Sequence, residues 1–68
     1  MQEESKKLGT NLKTLRANKN ITQSQLAELI GVDKSFVSNI ENGKTNPTLS
    51  TITSLAKVLG VTAAELLK

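Results

Sequence analysis

The sequence predicts an all-α domain of five helices, and three observations carry that prediction. The apolar residues are mostly Leu, Ile, Val and Ala, with a single Phe and no Trp or Tyr. Helix-capping residues precede several apolar stretches, and glycines follow them. Within these stretches the apolar residues recur at helical spacing. We therefore expect one domain over residues 1–68, with helices at about 5–18, 22–30, 33–42, 48–59 and 62–67.

The composition narrows the classes of function. The chain has no cysteine and no histidine, so it lacks the commonest general base, the most reactive nucleophile and the usual zinc ligands. An enzyme is therefore disfavoured, and no metal, cofactor or small-molecule ligand is expected. The net charge of +3 agrees with a nucleic-acid partner but is weak support alone. With no apolar run of membrane-spanning length and no signal core at the N-terminus, a cytoplasmic protein is expected.

The first helix is expected to begin near Ser5, after a loose and solvated end at residues 1–4. Its predicted buried stripe consists of Leu8, Leu12 and Leu15. Gly9 lies inside this helix, where glycine costs up to about 1 kcal/mol relative to alanine. We interpret Gly9 as a point of close packing.

Two short helices joined by a glycine turn follow. Thr22 and Gln25 have the spacing of a capping box, and Gly31 ends the first of the two helices. Asp33 is a good N-cap for the second, which ends near Gly43. Two capped helices separated by about three residues must cross steeply, as in the helix-turn-helix motif. That motif places its second helix in the major groove of DNA.

A helical wheel of the second of these helices separates two faces. Val37 and Ile40 point inward, with Phe36 at the margin. The opposite face consists of Lys34, Ser35, Ser38, Asn39 and Asn42. Because that face has hydrogen-bonding groups and no acid, it suits an anionic partner. An ordinary solvated helix face is the alternative, and the neighbouring helix and basic loop favour the DNA interpretation.

A resemblance to the phage-repressor and Cro-type helix-turn-helix family, often called Xre-like, extends from about Leu8 to Leu67. It is carried by Leu8-Gly9, Leu12, Leu15-Arg16 and the segments ITQSQLAELIGV, VSNIENGKTNP and LAKVLGV. The resemblance implies a lambda-repressor-like fold and a homodimer bound to operator DNA, whose sequence should be pseudo-palindromic. A transcriptional repressor is expected rather than an activator, because repression needs only occupancy of a promoter.

The resemblance also implies an ion pair between Arg16 and Glu41, joining the first helix to the end of the third. Arg16 is the only arginine of the chain and lies beside the leucine stripe, which agrees with partial burial. A surface arginine that contacts phosphate is the alternative.

Base reading is expected from the exposed face of the third helix. Asn39 can pair with adenine, and Lys34 can donate to guanine. Ser35 and Ser38 complete the base-reading candidates. Phe36 can touch a thymine methyl group, although a partly buried core position is at least as consistent with the sequence.

Phosphate contacts are expected from the flanks of that helix. The loop 43–47 combines a cation with small polar residues and leads into a helix capped by Thr48, whose N-terminus attracts anions. The phosphate candidates are Gln23, Asn42, Lys44, Thr45 and Asn46. A plain connecting loop without a role in binding is the alternative, because such a loop would also contain Gly and Pro.

The C-terminal part is predicted to complete the core. The expected stripe of the fourth helix consists of Leu49, Ile52, Leu55, Ala56 and Leu59. Thr62 and Glu65 form a second capping box before a short fifth helix. Val61, Leu66 and Leu67 are the candidates for a dimer seam, with folding back onto the first helix as the alternative.

An antitoxin or adaptor module that acts through protein–protein contacts is the main alternative to DNA binding. The exposed Lys34, Asn39 and Lys44 disfavour it, since the centre of a protein interface is usually depleted in charge. A membrane-surface helix would require a strongly basic segment with bulky aromatic residues, which this chain lacks.

Overall fold

The computed structural model describes residues 2–68, and five helices follow one another along them. They are α1 (Gln2–Asn18), α2 (Gln23–Ile30), α3 (Lys34–Glu41), α4 (Leu49–Leu59) and α5 (Ala63–Leu67). The predicted all-α fold of five helices is confirmed. None of the helices over residues 2–68 is both long and apolar enough to cross a membrane.

Helix α1 begins earlier than predicted. The sequence was expected to be loose over residues 1–4, yet the helix already includes Gln2, Glu3 and Glu4; Met1 lies outside the described residues. Two acids in the first turn favour this start, because negative charge near a helix N-terminus complements the unpaired N–H groups there.

The helix ends are formed by the residues that the sequence indicated. Thr22 Oγ1 accepts from the N–H of Gln25 at 3.0 Å, and Gln25 Oε1 accepts from the N–H of Thr22 at 2.8 Å. Asp33 Oδ1 accepts from the N–H of Phe36 at 2.9 Å. Gly31 ends α2 in the left-handed region with φ of 77°, which explains why glycine is suited to that position.

The core lies where the five helices meet. It consists of Leu8, Leu12, Leu26, Ala27, Val37, Ile40, Ile52, Leu55, Ala56, Leu59 and Leu66. The prediction that Leu49 belongs to the buried stripe of α4 is wrong, because its side chain is 70% exposed. Leu49 is the first residue of α4, one turn before Ile52, and the enclosed part of the helix begins only at that next turn.

Gly9 marks the closest approach of α1 to α3. A Cβ atom built at this position would lie 2.5 Å from the backbone carbonyl oxygens of both Ile40 and Glu41. Real Cβ atoms do not come so close to backbone oxygen, so the crossing requires glycine. The predicted close packing at Gly9 is therefore present, and it fixes the end of α3 against α1.

The fifth helix folds back onto α1. Leu66 is completely buried in the core, and Asn11 Nδ2 donates to the carbonyl oxygen of Leu66 at 3.0 Å. The expectation that Leu66 contributes to a dimer seam is wrong, because its side chain has no surface left for a partner. Leu67 remains 47% exposed, and Val61 is partly buried against the core.

Candidate nucleic-acid interface

Helix α3 presents one buried and one exposed face. Val37 and Ile40 are completely buried, whereas Lys34, Ser35 and Asn39 are exposed. The acid of this helix, Glu41, is buried at its C-terminal end. The helix therefore offers amide, hydroxyl and ammonium groups outward, and no carboxylate competes with them on that side.

Two further polar residues extend the exposed face toward the end of α3. Ser38 is half-buried, and its hydroxyl oxygen accepts from Asn42 Nδ2 at 3.3 Å. Asn42 itself is exposed and caps the helix. Ser38 is thus the least accessible of the predicted base readers, while Asn42 keeps its carboxamide oxygen and one N–H outside this hydrogen bond.

An ion pair behind the exposed face holds α3 in place. Arg16 Nε donates to Glu41 Oε2 at 2.6 Å, and Arg16 Nη2 donates to Glu41 Oε1 at 3.2 Å. The side chain of Glu41 is 1% exposed and that of Arg16 is 15% exposed. Arg16 Nη1 also donates to the carbonyl oxygen of Ile21 at 2.8 Å, ahead of α2. Arg16 therefore connects α1, the start of the helix-turn-helix and the end of α3.

Gln23 belongs to the same network. Its Nε2 donates to Glu41 Oε1 at 2.9 Å, and the residue is half-buried rather than free in solvent. The sequence predicted a phosphate contact at this position and gave no sign of the bond to Glu41. The carboxamide oxygen and the second N–H of Gln23 are not used in that bond, so a contact with phosphate would come from an amide already held in place.

The loop 43–47 lies beside α3 and rests on α1. Gly43 has φ of 71°, and a Cβ atom there would lie 2.9 Å from Lys6 Cγ. Ser5 Oγ donates to Asn46 Oδ1 at 2.5 Å. Lys44 and Thr45, between these two anchors, are exposed. The predicted phosphate-binding residues of the loop are thus presented on a segment that is held at both ends.

A cleft of about 330 Å³ separates α3 from the start of α4. It is lined by Phe36, Asn39, Thr45, Asn46, Pro47, Thr48 and Thr51. One wall carries the best candidate for base reading, Asn39, and the other carries candidates for phosphate binding. Phe36 and Pro47 form the apolar part of this cleft. The side chain of Phe36 is 36% exposed, so a thymine methyl group could reach it.

Three residues of this region were not singled out as site residues from the sequence. Thr48 caps α4, and its Oγ1 lies 3.2 Å from that of Thr51 in the same cleft; a capping signal identified Thr48, but not its position beside Asn39. The sequence around Ser5 indicates only the start of a helix. No pattern in the sequence relates Ser5 to Asn46, because 41 positions separate them.

The arrangement defines a helix-turn-helix domain with its second helix, α3, exposed for insertion into a groove. A polar helix face without an exposed acid between Lys34 and Glu41, flanked by the loop that carries Lys44, has the chemistry that recognition of base edges and phosphates requires. Residues 12–66 match the model of the helix-turn-helix family. The chain belongs to this family of DNA-binding transcriptional regulators.

Known members of the family are similar to this chain over most of its length. A helix-turn-helix-type transcriptional regulator of Sinorhizobium fredii is 38% identical over 61 residues, which are 90% of this chain and 79% of that protein. The immunity repressor protein of Bacillus phage phi105 is 37% identical over 54 residues, which are 79% of this chain but 38% of the repressor.

A solved structure agrees with the fold. The crystal structure of the restriction-modification controller protein C.AhdI from Aeromonas hydrophila superimposes with a TM-score of 0.90 at 37% identity. The match covers 96% of this chain and 94% of that one. The resemblance to Xre-like regulators inferred from the sequence motifs is therefore confirmed at the level of sequence and of fold.

Proposed function

We propose that this chain binds operator-like double-stranded DNA as a homodimer, with α3 in the major groove, and that it represses transcription. One observation carries the proposal. The inner face of α3 is locked by Val37, Ile40 and the Arg16–Glu41 pair, while its outer face holds exposed polar groups that the fold itself does not need. A rigid helix with a free, acid-free polar face is suited to reading base edges.

Within this proposal the outer face of α3 reads bases. Asn39 pairs with adenine through its carboxamide, and Lys34 donates to guanine O6 or N7. Ser35 and the less accessible Ser38 make shorter contacts near them. Phe36 contributes a thymine-methyl contact from the apolar part of the cleft.

The flanking residues bind phosphate, which positions the protein without reading sequence. Lys44, Thr45 and Asn46 act from the loop, and Asn42 acts from the end of α3. Gln23 acts from the start of α2 while its amide stays bonded to Glu41. Support comes from the exposure of the loop residues and from their attachment to α1.

Replacing Asn39 tests the assignment of α3. Asn39→Ala should cost about 1–3 kcal/mol of binding free energy on the best site and remove the preference at one base pair of each half-site. Its melting temperature should stay unchanged because the side chain is exposed. Selection from a randomised operator measures the preference, and Ser54→Ala on the exposed side of α4 is the control. An intact preference at every position would show that α3 is not the reading helix.

The dimer seam of this proposal is centred on Leu67, with Val61 contributing only its exposed part. Leu67 lines a groove of about 460 Å³ that also includes Pro47 and Ile52. Glu4 and Lys7 lie on the same groove. A twofold interface through this groove would bring together both an acid and a lysine from each protomer, since the same patch then occurs twice.

Substitutions of the two neighbouring leucines, Leu66 and Leu67, test dimerisation separately from folding. Leu67→Glu should weaken dimerisation and operator binding while leaving the melting temperature nearly unchanged. Leu66→Glu should unfold the protomer because it buries a charge in the core. Sedimentation at several concentrations and binding to operators with half-sites about 34–36 Å apart provide the measurements. Full affinity for an operator with one half-site scrambled would exclude the dimer.

Repression is the regulatory outcome that needs least from the protein, because occupancy of a promoter is sufficient. The immunity repressor of phage phi105 among its relatives supports this direction. Because the proposed partner is double-stranded DNA, we also propose that the protein acts in the cytoplasm. A reporter under the selected operator should be silenced by the wild-type chain and released by Asn39→Ala; increased expression with the wild type would contradict repression.

A further inference from the structure

Ser5 is a buried polar residue on α1 with a distant partner. It is 6% exposed, and its hydroxyl donates to Asn46 Oδ1 at 2.5 Å across 41 positions of sequence. The distance lies at the short end of O–H···O hydrogen bonds in proteins. The bond joins the second turn of α1 to the loop 43–47, which precedes α4.

Neither helix formation nor packing requires a hydroxyl at position 5. Alanine forms helices better than serine, and it would fill nearly the same space beside Leu8 in the enclosed part of α1. A buried hydroxyl is usually found with a hydrogen-bonding partner. The partner here is the side chain of Asn46, so the bond accounts for the presence of serine.

The bond engages the oxygen of the Asn46 carboxamide. Because this oxygen accepts from Ser5, the two N–H donors of the Nδ2 group take no part in the bond. Asn46 is exposed and lines the cleft that also contains Asn39 and Thr45. N–H donors that are free of the bond to Ser5 suit a phosphate oxygen, whereas a carboxamide oxygen in their place would repel it.

The loop backbone is supported in the same place. Gly43 packs against Lys6, which follows Ser5 on α1. Asn46 and Pro47 also line the groove proposed above for the dimer seam, together with Leu8 of α1. The loop therefore rests on α1 at both of its ends, and the carboxamide of Asn46 is fixed relative to the backbone that carries Lys44.

We infer that Ser5 is a positioning residue for DNA binding, which aims the N–H donors of Asn46 at a backbone phosphate. Ser5 does not itself contact DNA. The inference rests on the proposed function, since it names a residue outside the helix-turn-helix that controls its phosphate contacts. According to this inference, α1 contributes to the affinity for DNA but not to the preference for particular bases.

A double-mutant cycle in binding affinity tests the inference. Ser5→Ala and Asn46→Ala should each weaken binding to the operator and to a random duplex by a similar factor, about three- to tenfold. The double variant should bind no more weakly than Asn46→Ala alone, since Ser5 acts through Asn46. Base preference should not change. The slope of affinity against salt should also stay constant, because a neutral contact releases no counterion.

Two further variants separate positioning from a merely structural role. Asn46→Asp keeps an acceptor for Ser5 but places a negative charge at the phosphate, so it should bind more weakly than Asn46→Ala. Ser54→Ala, which removes a hydroxyl from the exposed side of α4, should bind like the wild type. In the free protein, Ser5→Ala should increase the picosecond-to-nanosecond mobility of the Asn46 side-chain NH₂ group, as nuclear magnetic resonance relaxation measures.

The outcomes distinguish the inference from the function on which it rests. Additive losses in the cycle, or a Ser5→Ala protein with wild-type affinity, would overturn the role of Ser5 while DNA binding stands. Unchanged mobility of the Asn46 NH₂ group would overturn it even if Ser5→Ala folded too weakly for binding assays. A wild-type chain that binds neither duplex would overturn the proposed function and the inference together.

Discussion

The inner and outer faces of α3 belong to the same eight-residue helix but differ in burial and in their contacts with the rest of the fold. On the inner face, Val37 and Ile40 are completely buried, and Glu41 accepts hydrogen bonds from Arg16 and Gln23. On the outer face, Lys34 and Asn39 are exposed. The contacts of the inner face hold the helix in place, and the outer face is left free for a partner.

The difference between the two faces separates stability from recognition within a single helix. A substitution on the inner face acts on the free energy of unfolding, because it opens a cavity or leaves a buried charge without a partner. A substitution on the outer face removes a group that the folded chain does not use, so it acts on binding. Measurements of melting temperature and DNA affinity for the same set of variants test whether the two faces act separately.

The largest expected effect is the loss of the ion pair. Glu41→Ala leaves the guanidinium of Arg16, 15% exposed, without its carboxylate. Removing one partner of a buried pair lowers the free energy of unfolding by about 3–5 kcal/mol. Because Arg16 is slightly exposed, we expect a decrease within or below that range. In a domain of this size each kcal/mol lowers the melting temperature by about 4–8 °C, which calorimetry measures.

The cycle with Arg16→Ala shows whether the pair acts as a unit. The double variant should be less destabilised than the sum of the two single variants, because no charge is then left buried alone. Glu28→Ala, an exposed acid on α2, should change stability by less than about 0.5 kcal/mol. Purely additive losses would show that the contact at 2.6 Å contributes nothing as a pair.

A smaller loss is expected where α1 crosses α3. Gly9→Ala gains up to about 1 kcal/mol of helix propensity, but its Cβ would lie 2.5 Å from two backbone oxygens of α3. Overpacking of this kind typically costs about 1–3 kcal/mol, so we expect a net loss of about 1–2 kcal/mol in chemical denaturation. Because the clash displaces the end of α3, DNA affinity should fall as well.

The adjacent exposed position gives the matched control for Gly9. Thr10 is exposed on the same helix, so Thr10→Ala should be neutral or slightly stabilising because alanine is the better helix former. If Gly9→Ala proved more stable than the wild type, the close crossing of α1 and α3 would be disproved.

The smallest expected effect lies on the flank of the outer face. Lys44→Ala should leave the stability of the fold unchanged and weaken binding to all DNA sequences about equally. The slope of log affinity against log salt concentration should decrease in magnitude by roughly one per subunit, since one phosphate contact is lost. Fluorescence anisotropy at several salt concentrations measures that slope.

A second exposed lysine serves as the reference for Lys44. Lys57 is exposed on α4 and outside the loop 43–47, so Lys57→Ala should change the salt slope much less. Equal changes for the two lysines would indicate a general effect of net charge. A changed base preference in Lys44→Ala would contradict its assignment to phosphate.

The helix-turn-helix could be located from the sequence because its signals are local. Capping at Thr22 and Asp33 and the glycine turn at Gly31 act within one or two turns of helix, and each is formed as predicted. Helical spacing likewise separated Val37 and Ile40 from the residues that α3 exposes. Such features depend on hydrogen bonds and side-chain directions of near neighbours, which sequence spacing describes directly.

Other features were decided only by tertiary packing. Helical spacing predicted that Leu49 is buried, and it did not show which of Leu66 and Leu67 is buried. Spacing indicates the direction of a side chain but not how far the neighbouring helices extend to cover it. The bonds of Ser5 to Asn46 and of Gln23 to Glu41 join residues 41 and 18 positions apart. Their partners are selected when α1, α2 and the end of α3 come together, so no local pattern could specify them.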